Sequence, residues 1–199
     1  MNEERLPSRE EAWCLLCEYT QGESLRRHAR AVEEVMRAYA RRLGEDEHMW
    51  GLTGLLHDFD YEAYPDPAEH TVAGGTILRE RGYPEEIVHA IQAHNDANGL
   101  GLSRNSAMAK VLYACDELAG FITAVSLVRP SKSIHEVKPK SVKKKLKDKS
   151  FAASVNRDEV RQGMDELGVE PDEHIQFVID AMRPIAAEIG LQGTFPAED

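Results

Sequence analysis

The chain lacks any apolar run approaching the roughly 20 residues that a membrane-spanning helix needs. Its opening, Met1-Asn2-Glu3-Glu4-Arg5, is not followed by an apolar signal region. These absences lead us to expect a cytoplasmic protein with no membrane partner. Cysteine is scarce, with 3 in 199 residues, which fits a reducing compartment. Cys14 and Cys17 form a Cys-x-x-Cys, but no second pair follows and no strand precedes it, so a buried helix face is expected rather than a zinc or redox motif. Cys115 reads as a small core residue. Positive charge is in deficit as well: 24 Lys and Arg stand against 35 Asp and Glu, for a net charge of −11. That balance argues against broad nucleic-acid binding, and no nucleic-acid polymer is expected as a partner. No alternating strand pattern, internal repeat or low-complexity tract stands out.

What remains reads as helix almost throughout. Ser8 with Glu11 makes a capping box for a first helix to about Thr20. A second spans about Glu23 to Leu43 and stops at Gly44. A third spans about Asp46 to His57, and residues 58–66 form a loop. A fourth starts near Pro67, and a fifth opens at Pro84 and ends near Asn95. A long sixth covers about Asn105 to Leu127. After it come a short helix near Ser141–Lys147, one at Arg157–Leu167, and one at Pro171–Ile189 with a kink at Pro184. The expectation is an all-α fold, a single domain over 1–199. Its core lies at about 20–127, and the basic segment and accessory helices of 128–199 pack on it.

Charge is uneven along the chain. Residues 129–149 carry nine bases against Glu136 and Asp148, or +7, so the rest carries −18. Such a segment is either an anion-holding element or a solvated helix.

Helical geometry sorts the eight histidines. His28 shares a face with Leu25, Val32, Val35 and Tyr39. His57, at the end of the apolar run Gly54-Leu55-Leu56, sits beside Asp58. His70 shares a face with Ala73, Gly74 and Ile77, where small residues would admit another helix. His94 lies with Ile87, Ala90 and Ile91. His48 and His89 face outward, His135 lies in the basic loop, and His174 is read as structural. Asp116 lies mid-way along the most apolar helix, beside Leu112, Tyr113 and Ala119. Isolated histidines and carboxylates in a core cost several kcal/mol each, roughly. A shared metal centre satisfies the set at once, and a His-Asp pair at a helix end can aim both side chains at one point.

The order His28, His57-Asp58, His70, His94, Asp116 resembles the HD-domain superfamily of metal-dependent phosphohydrolases. So does the context Ala107-Met-Ala-Lys-Val-Leu-Tyr-Ala-Cys-Asp116. Here Phe59-Asp60 follows the pair, where the common signature has a glycine. No Gly-Tyr-Pro follows His94, which disfavours the cyclic-dinucleotide branch. The resemblance implies an HD-domain helical bundle with additional C-terminal helices. It also implies one or two divalent ions (Fe, Mn, Co, Ni or Zn), one held by His28, His57, Asp58 and Asp116, the other by His70 and His94 with Asp58 bridging. The implied function is hydrolysis of a small phosphorylated metabolite or nucleotide. Di-iron oxygenase chemistry on the same fold, or a non-catalytic metal-binding sensor, are the alternatives. Asp58 and Lys110 are the catalytic candidates, Lys110 reaching a substrate phosphate or only solvent. Lys132, Lys140 and Lys144 are candidates for holding a substrate phosphate. Asp60, Glu62 and Asp66 are loop carboxylates that either donate a proton to the leaving group or are merely solvated.

Overall fold

The computed structural model of the protein describes residues 6–194. Among them are nine α-helices and no strand: α1 (Arg9–Tyr19), α2 (Glu23–Leu43), α3 (Glu47–Leu56), α4 (Val72–Glu80), α5 (Glu85–Ala93), α6 (Ala107–Leu127), α7 (Pro139–Leu146), α8 (Arg157–Leu167) and α9 (Pro171–Met182). None is long and apolar enough to cross a membrane. The chain divides into two compact units, one within Met1–Tyr113 and the other within Ala114–Asp199, and the division falls inside α6.

In the first unit, local chemistry sets the helix ends. The Ser8 hydroxyl accepts from Glu11 N–H at 3.2 Å, and the Glu11 carboxylate accepts from Ser8 N–H at 2.6 Å. Two of the four orphan N–H donors at this helix start are thereby satisfied. Helix α2 stops at Gly44, which takes φ 74°, a conformation that costs a side chain dearly. Helix α3 is the hub of the unit and packs against α1, α2 and α5; α4 packs on α5. Gly54 lets α3 lie almost against the backbone of α2. A Cβ there would come within 2.8 Å of the Val32 carbonyl and 2.9 Å of Glu33 Cα. Val32, Val35 and Met36 of α2, Leu52, Leu55 and Leu56 of α3, and Ile87, Val88 and Ile91 of α5 are fully or almost fully buried. Each contributes about 1.5–3 kcal/mol through the apolar surface it removes from water.

In the second unit, α7 packs on α9. His174 is buried, with Nε2 3.1 Å from the Ala114 carbonyl oxygen, the structural role expected of it. Phe121 stacks edge-on against Phe151, and the Arg157 guanidinium lies over Phe121 while donating to the carbonyl of Phe151. The Asn156 side chain caps α8 by accepting from Asp158 and Glu159 N–H. Near the end of the described chain, Ile134 N–H donates to the Leu191 carbonyl and Thr194 N–H to that of Ser131.

Four helix boundaries differ from expectation in ways that matter. Helix α4 begins at Val72, not near Pro67, so His70 lies in a turn instead of on a helix. Helices α3 and α5 end one residue before His57 and His94, which occupy the C-cap positions. Helix α9 stops at Met182 and gives way to a 3₁₀ turn, Arg183–Ile185, around Pro184. The proline there ends the α-helix instead of kinking it, since it has no N–H to continue the ladder. Three side chains also differ. Cys14 is exposed and Cys17 half-buried, so the Cys-x-x-Cys face is not a buried one. His48 is half-buried, with its Nε2 2.9 Å from the Pro7 carbonyl oxygen. Cys115 is fully buried, and burial pushes its thiol well above the usual range, with Asp116 adding to the effect.

Candidate metal centre

Helix α3 delivers the first two groups. His57, fully buried at the C-cap, holds its Nδ1 2.8 Å from the Gly54 carbonyl oxygen. A carbonyl only accepts, so Nδ1 carries the proton and Nε2 presents a lone pair. That Nε2 lies 3.3 Å from Asp58 Oδ2. At the end of α5, His94 repeats the device. Its Nδ1 donates to the Ile91 carbonyl at 2.6 Å, and its Nε2 lies 3.3 Å from Asp58 Oδ1. His70 Nε2 is 3.0 Å from the same Oδ1. The rings of His28 and His57 meet edge-on at 5.1 Å, those of His57 and His94 at 5.3 Å, and those of His70 and His94 at 5.5 Å.

Two groups of ligand atoms result, His28 with His57 and Asp58, and His70 with His94 and Asp58. Within each group the atoms lie no more than 4.8 Å apart. Asp58 belongs to both. Burial alone would raise the pKa of its carboxyl, but the imidazoles of His57, His70 and His94 outweigh that and hold it well below the usual carboxylate range. An anionic carboxylate 3.0–3.3 Å from imidazole Nε2 atoms needs a proton or a metal cation in between, and a metal can take the place of the protons. The residues therefore fit a metal ion. Mixed imidazole and carboxylate donors suit Fe, Mn, Co, Ni or Zn without choosing among them.

His70 is aimed by Asp60. The Asp60 side chain is fully buried, and its Oδ1 sits 2.9 Å from His70 Nδ1. Its Oδ2 accepts from Thr71 N–H at 2.9 Å and Gly74 N–H at 2.8 Å. Burial alone would lower the His70 pKa, but hydrogen bonds and charge from Asp58 and Asp60 override it and lift the imidazolium to about 9. The turn carrying His70 is strained at Thr71, whose φ is 68°. That conformation costs on the order of 1–3 kcal/mol and persists only when its surroundings impose it. Here Asn98 Nδ2 donates to Thr71 Oγ1 and the Gln92 carbonyl, and Gln92 Nε2 donates to the Thr71 carbonyl. Asn95 Nδ2 donates to the carbonyls of Pro67 and His70. The end of α5 therefore anchors both His94 and the turn bearing His70.

Asp60 corrects an expectation. It is no exposed loop carboxylate available to a leaving group, because all of its hydrogen bonding is turned inward. Glu62 accepts from Gln21 and Gly22 N–H at the start of α2, and Asp66 from Ala68 N–H. Of the small residues after His70, Gly74 does something other than expected. Gly74 makes room for a carboxylate, since a Cβ there would lie 2.7 Å from Asp60 Oδ2. Gly75 makes room for the Gln92 side chain of α5. The readable signal was the Gly74-Gly75 pair inside a helix, which has no reason to be there except close approach.

Of the remaining candidates, Lys110 is half-buried on α6 in the first unit, and Asp116 is half-buried on the same helix within the second unit. Lys132, Lys140 and Lys144 are exposed and belong to the second unit. Lys143 pairs with Asp172 at 2.7 Å, and Lys145 lies over the Phe151 ring.

Residues 25–120 match the HD domain family. Curated relatives named Ribonuclease Y share about a third of their residues with the matched stretch. The protein of Oleidesulfovibrio alaskensis is 32% identical over 47% of this chain and 17% of its own length. That of Lawsonia intracellularis is 33% identical over 51% and 19%, and that of Pelobacter propionicus 32% over 51% and 19%. The chain thus matches less than a fifth of these relatives' length. No solved structure matches it.

Proposed function

Residues 25–120 of this chain are an HD domain, and from that premise we propose that it is a metal-dependent phosphohydrolase. The observation that carries the reading is the position of Asp58. Its two oxygens face imidazoles of two groups, His57 on one side and His70 with His94 on the other. In the proposed centre one ion is held by His28, His57, Asp58 and Asp116, a second by His70, His94 and Asp58. Bound there, divalent ions supply a water of lowered pKa as nucleophile and neutralise charge developing on the phosphoryl oxygens.

The chain's own residues do the rest. The Gly54 and Ile91 carbonyls fix the tautomers of His57 and His94, so that neither ring must reorganise. Asp60 fixes that of His70 and increases its basicity as a ligand. Lys110 is proposed to meet a substrate phosphate. Lys132, Lys140 and Lys144 are proposed to hold the substrate through its negative charge.

The proposed substrate is a small phosphorylated metabolite or nucleotide. The relatives' name adds a ribonucleotide phosphodiester to the test, whereas the net charge of −11 opposes a long polyanion. A panel of phosphomonoesters, cyclic and linear dinucleotides and a short RNA, run on chelated and on Mn²⁺- or Co²⁺-loaded protein, tests the reading. Metal-dependent release of phosphate or nucleotide is expected. Substrate-dependent O₂ consumption without phosphoester cleavage would overturn it. Replacing Lys140 and Lys144 together by Ala is expected to raise KM at least several-fold, and an unchanged KM would remove the basic segment from the substrate site.

A further inference from the structure

Tyr61 stands out beside the centre. Its N–H donates to the Asp58 carbonyl at 3.1 Å, so its position is tied to the shared carboxylate's own turn. Its ring meets the His70 ring edge-on, 5.3 Å between centroids at 85°. Yet Tyr61 is 43% exposed, and it is the aromatic residue among the large exposed hydrophobic side chains of the described chain, the others being Leu43, Leu100, Leu127 and Val128. A tyrosine buries 150 Å² or more when it is covered, roughly. The exposed part of that ring, next to a ligand histidine, is surface that a flat group of the substrate can cover.

The charge of the same turn says what that something is. Residues 61–69 carry Glu62, Asp66 and Glu69 and no lysine or arginine. Such a turn repels phosphate. The part of the substrate lying over it is therefore uncharged and has a flat face for the ring. Acidic neighbours also suit amino groups, which donate to carboxylates.

We propose that Tyr61 is a stacking platform for a nucleobase and that the substrate is a nucleoside phosphate, its base on Tyr61 and its phosphate at the centre. This deepens, and rests on, the phosphohydrolase reading above. Base–aromatic stacking tolerates any base, because every base has a π-face.

The experiment uses the full metal-loaded chain with Tyr61→Phe and Tyr61→Leu, metal content being measured for each. Turnover of the four ribonucleoside 5′-monophosphates is compared with that of ribose 5-phosphate, which has the same phosphoester and no base. Equilibrium dialysis of the labelled monophosphates gives affinity without needing turnover. In Tyr61→Leu the kcat/KM preference for the nucleotides over ribose 5-phosphate is expected to fall about 5- to 100-fold, mostly through KM. Dialysis should show a similar loss, and Tyr61→Phe should retain the preference. An equal loss on both substrate types would mean that Tyr61 only shields His70, and no loss would mean that it does nothing for substrate; either overturns the proposal. So does the absence of nucleotide binding to the unaltered chain. Tyr61-dependent nucleotide binding without cleavage of any phosphoester would leave the platform standing and remove the hydrolase, while cleavage indifferent to Tyr61 would do the reverse.

Discussion

Replacing Asp60 by Asn changes one atom in a fully buried side chain, and its effect can be worked through. One carboxylate oxygen takes two backbone N–H bonds, from Thr71 and Gly74, while the other faces His70 Nδ1 at 2.9 Å. The amide has one oxygen for these two jobs. If its NH₂ faces Thr71 and Gly74, three donors converge with no acceptor, at a cost of about 1–3 kcal/mol for each group left unsatisfied. The amide therefore turns its oxygen to the backbone and its NH₂ to His70. Nδ1 must then accept, which moves the ring proton to Nε2, the atom 3.0 Å from Asp58. A protonated nitrogen cannot ligate a metal. The second ion should lose 10- to 100-fold in affinity, roughly, or about 1.4–2.7 kcal/mol. The first ion, held from His28 and His57, should be bound as before. Titration calorimetry with Co²⁺ on wild type and Asp60→Asn reads both sites, with circular dichroism confirming the fold. Two sites of unchanged affinity in a folded variant would refute the tautomer argument. Equal weakening of both sites would show that Asp60 supports the fold generally and does not aim His70.

Other perturbations reach the same network from different sides. Gly74→Ala places a Cβ 2.7 Å from Asp60 Oδ2, and it should destabilise by about 1–3 kcal/mol and weaken the second ion as well, read by urea unfolding and metal titration. In chelator-treated protein the His70 pKa is raised from 6.5 to about 9. A raised pKa stabilises the fold fully below 6.5, and that stabilisation is lost as pH rises through 9. The melting temperature of the chelated protein should therefore fall across this window by an amount reflecting on the order of 3 kcal/mol. A flat profile would contradict the His70–Asp60 geometry. Asn95→Ala frees the Pro67 and His70 carbonyls, so hydrogen exchange should quicken in residues 65–71 while α2 and α3 stay protected. His174→Leu removes a buried imidazole whose Nε2 lies by the Ala114 carbonyl, and should lower stability by about 1–3 kcal/mol without changing metal stoichiometry at saturation.

Much of the helical frame was legible because its determinants are local. The Ser8–Glu11 box and Gly44 after α2 each act within a turn of the boundary they set. The inward sides of His57 and His94 were legible for the same reason, since 3.6-residue periodicity places them among Leu and Ile. The turn before α4 was not. Its shape depends on Asp60, eleven residues before Thr71, and on Asn98, twenty-seven after it. No window of a few residues holds that information, and Pro67 looked like a helix start. The same non-locality hid Asp60 itself. A carboxylate two residues past the His-Asp pair, in a polar stretch, reads as solvated until Gly74 and Thr71 fold over it. Cys14 shows the opposite failure, where a helical face was taken as buried although nothing in the described chain covers Cys14 itself.

The account turns on Asp58 as the carboxylate shared by two metal sites. The most direct test is phosphoester turnover measured against equivalents of Mn²⁺ or Co²⁺ added to chelator-treated protein, for wild type and Asp58→Ala side by side. Wild type should bind two ions per chain, with turnover rising as the second site fills, whereas Asp58→Ala should keep its helical spectrum, bind neither ion tightly and show no turnover. Saturation at one ion in the wild type, or full turnover by Asp58→Ala, would contradict the shared-carboxylate centre.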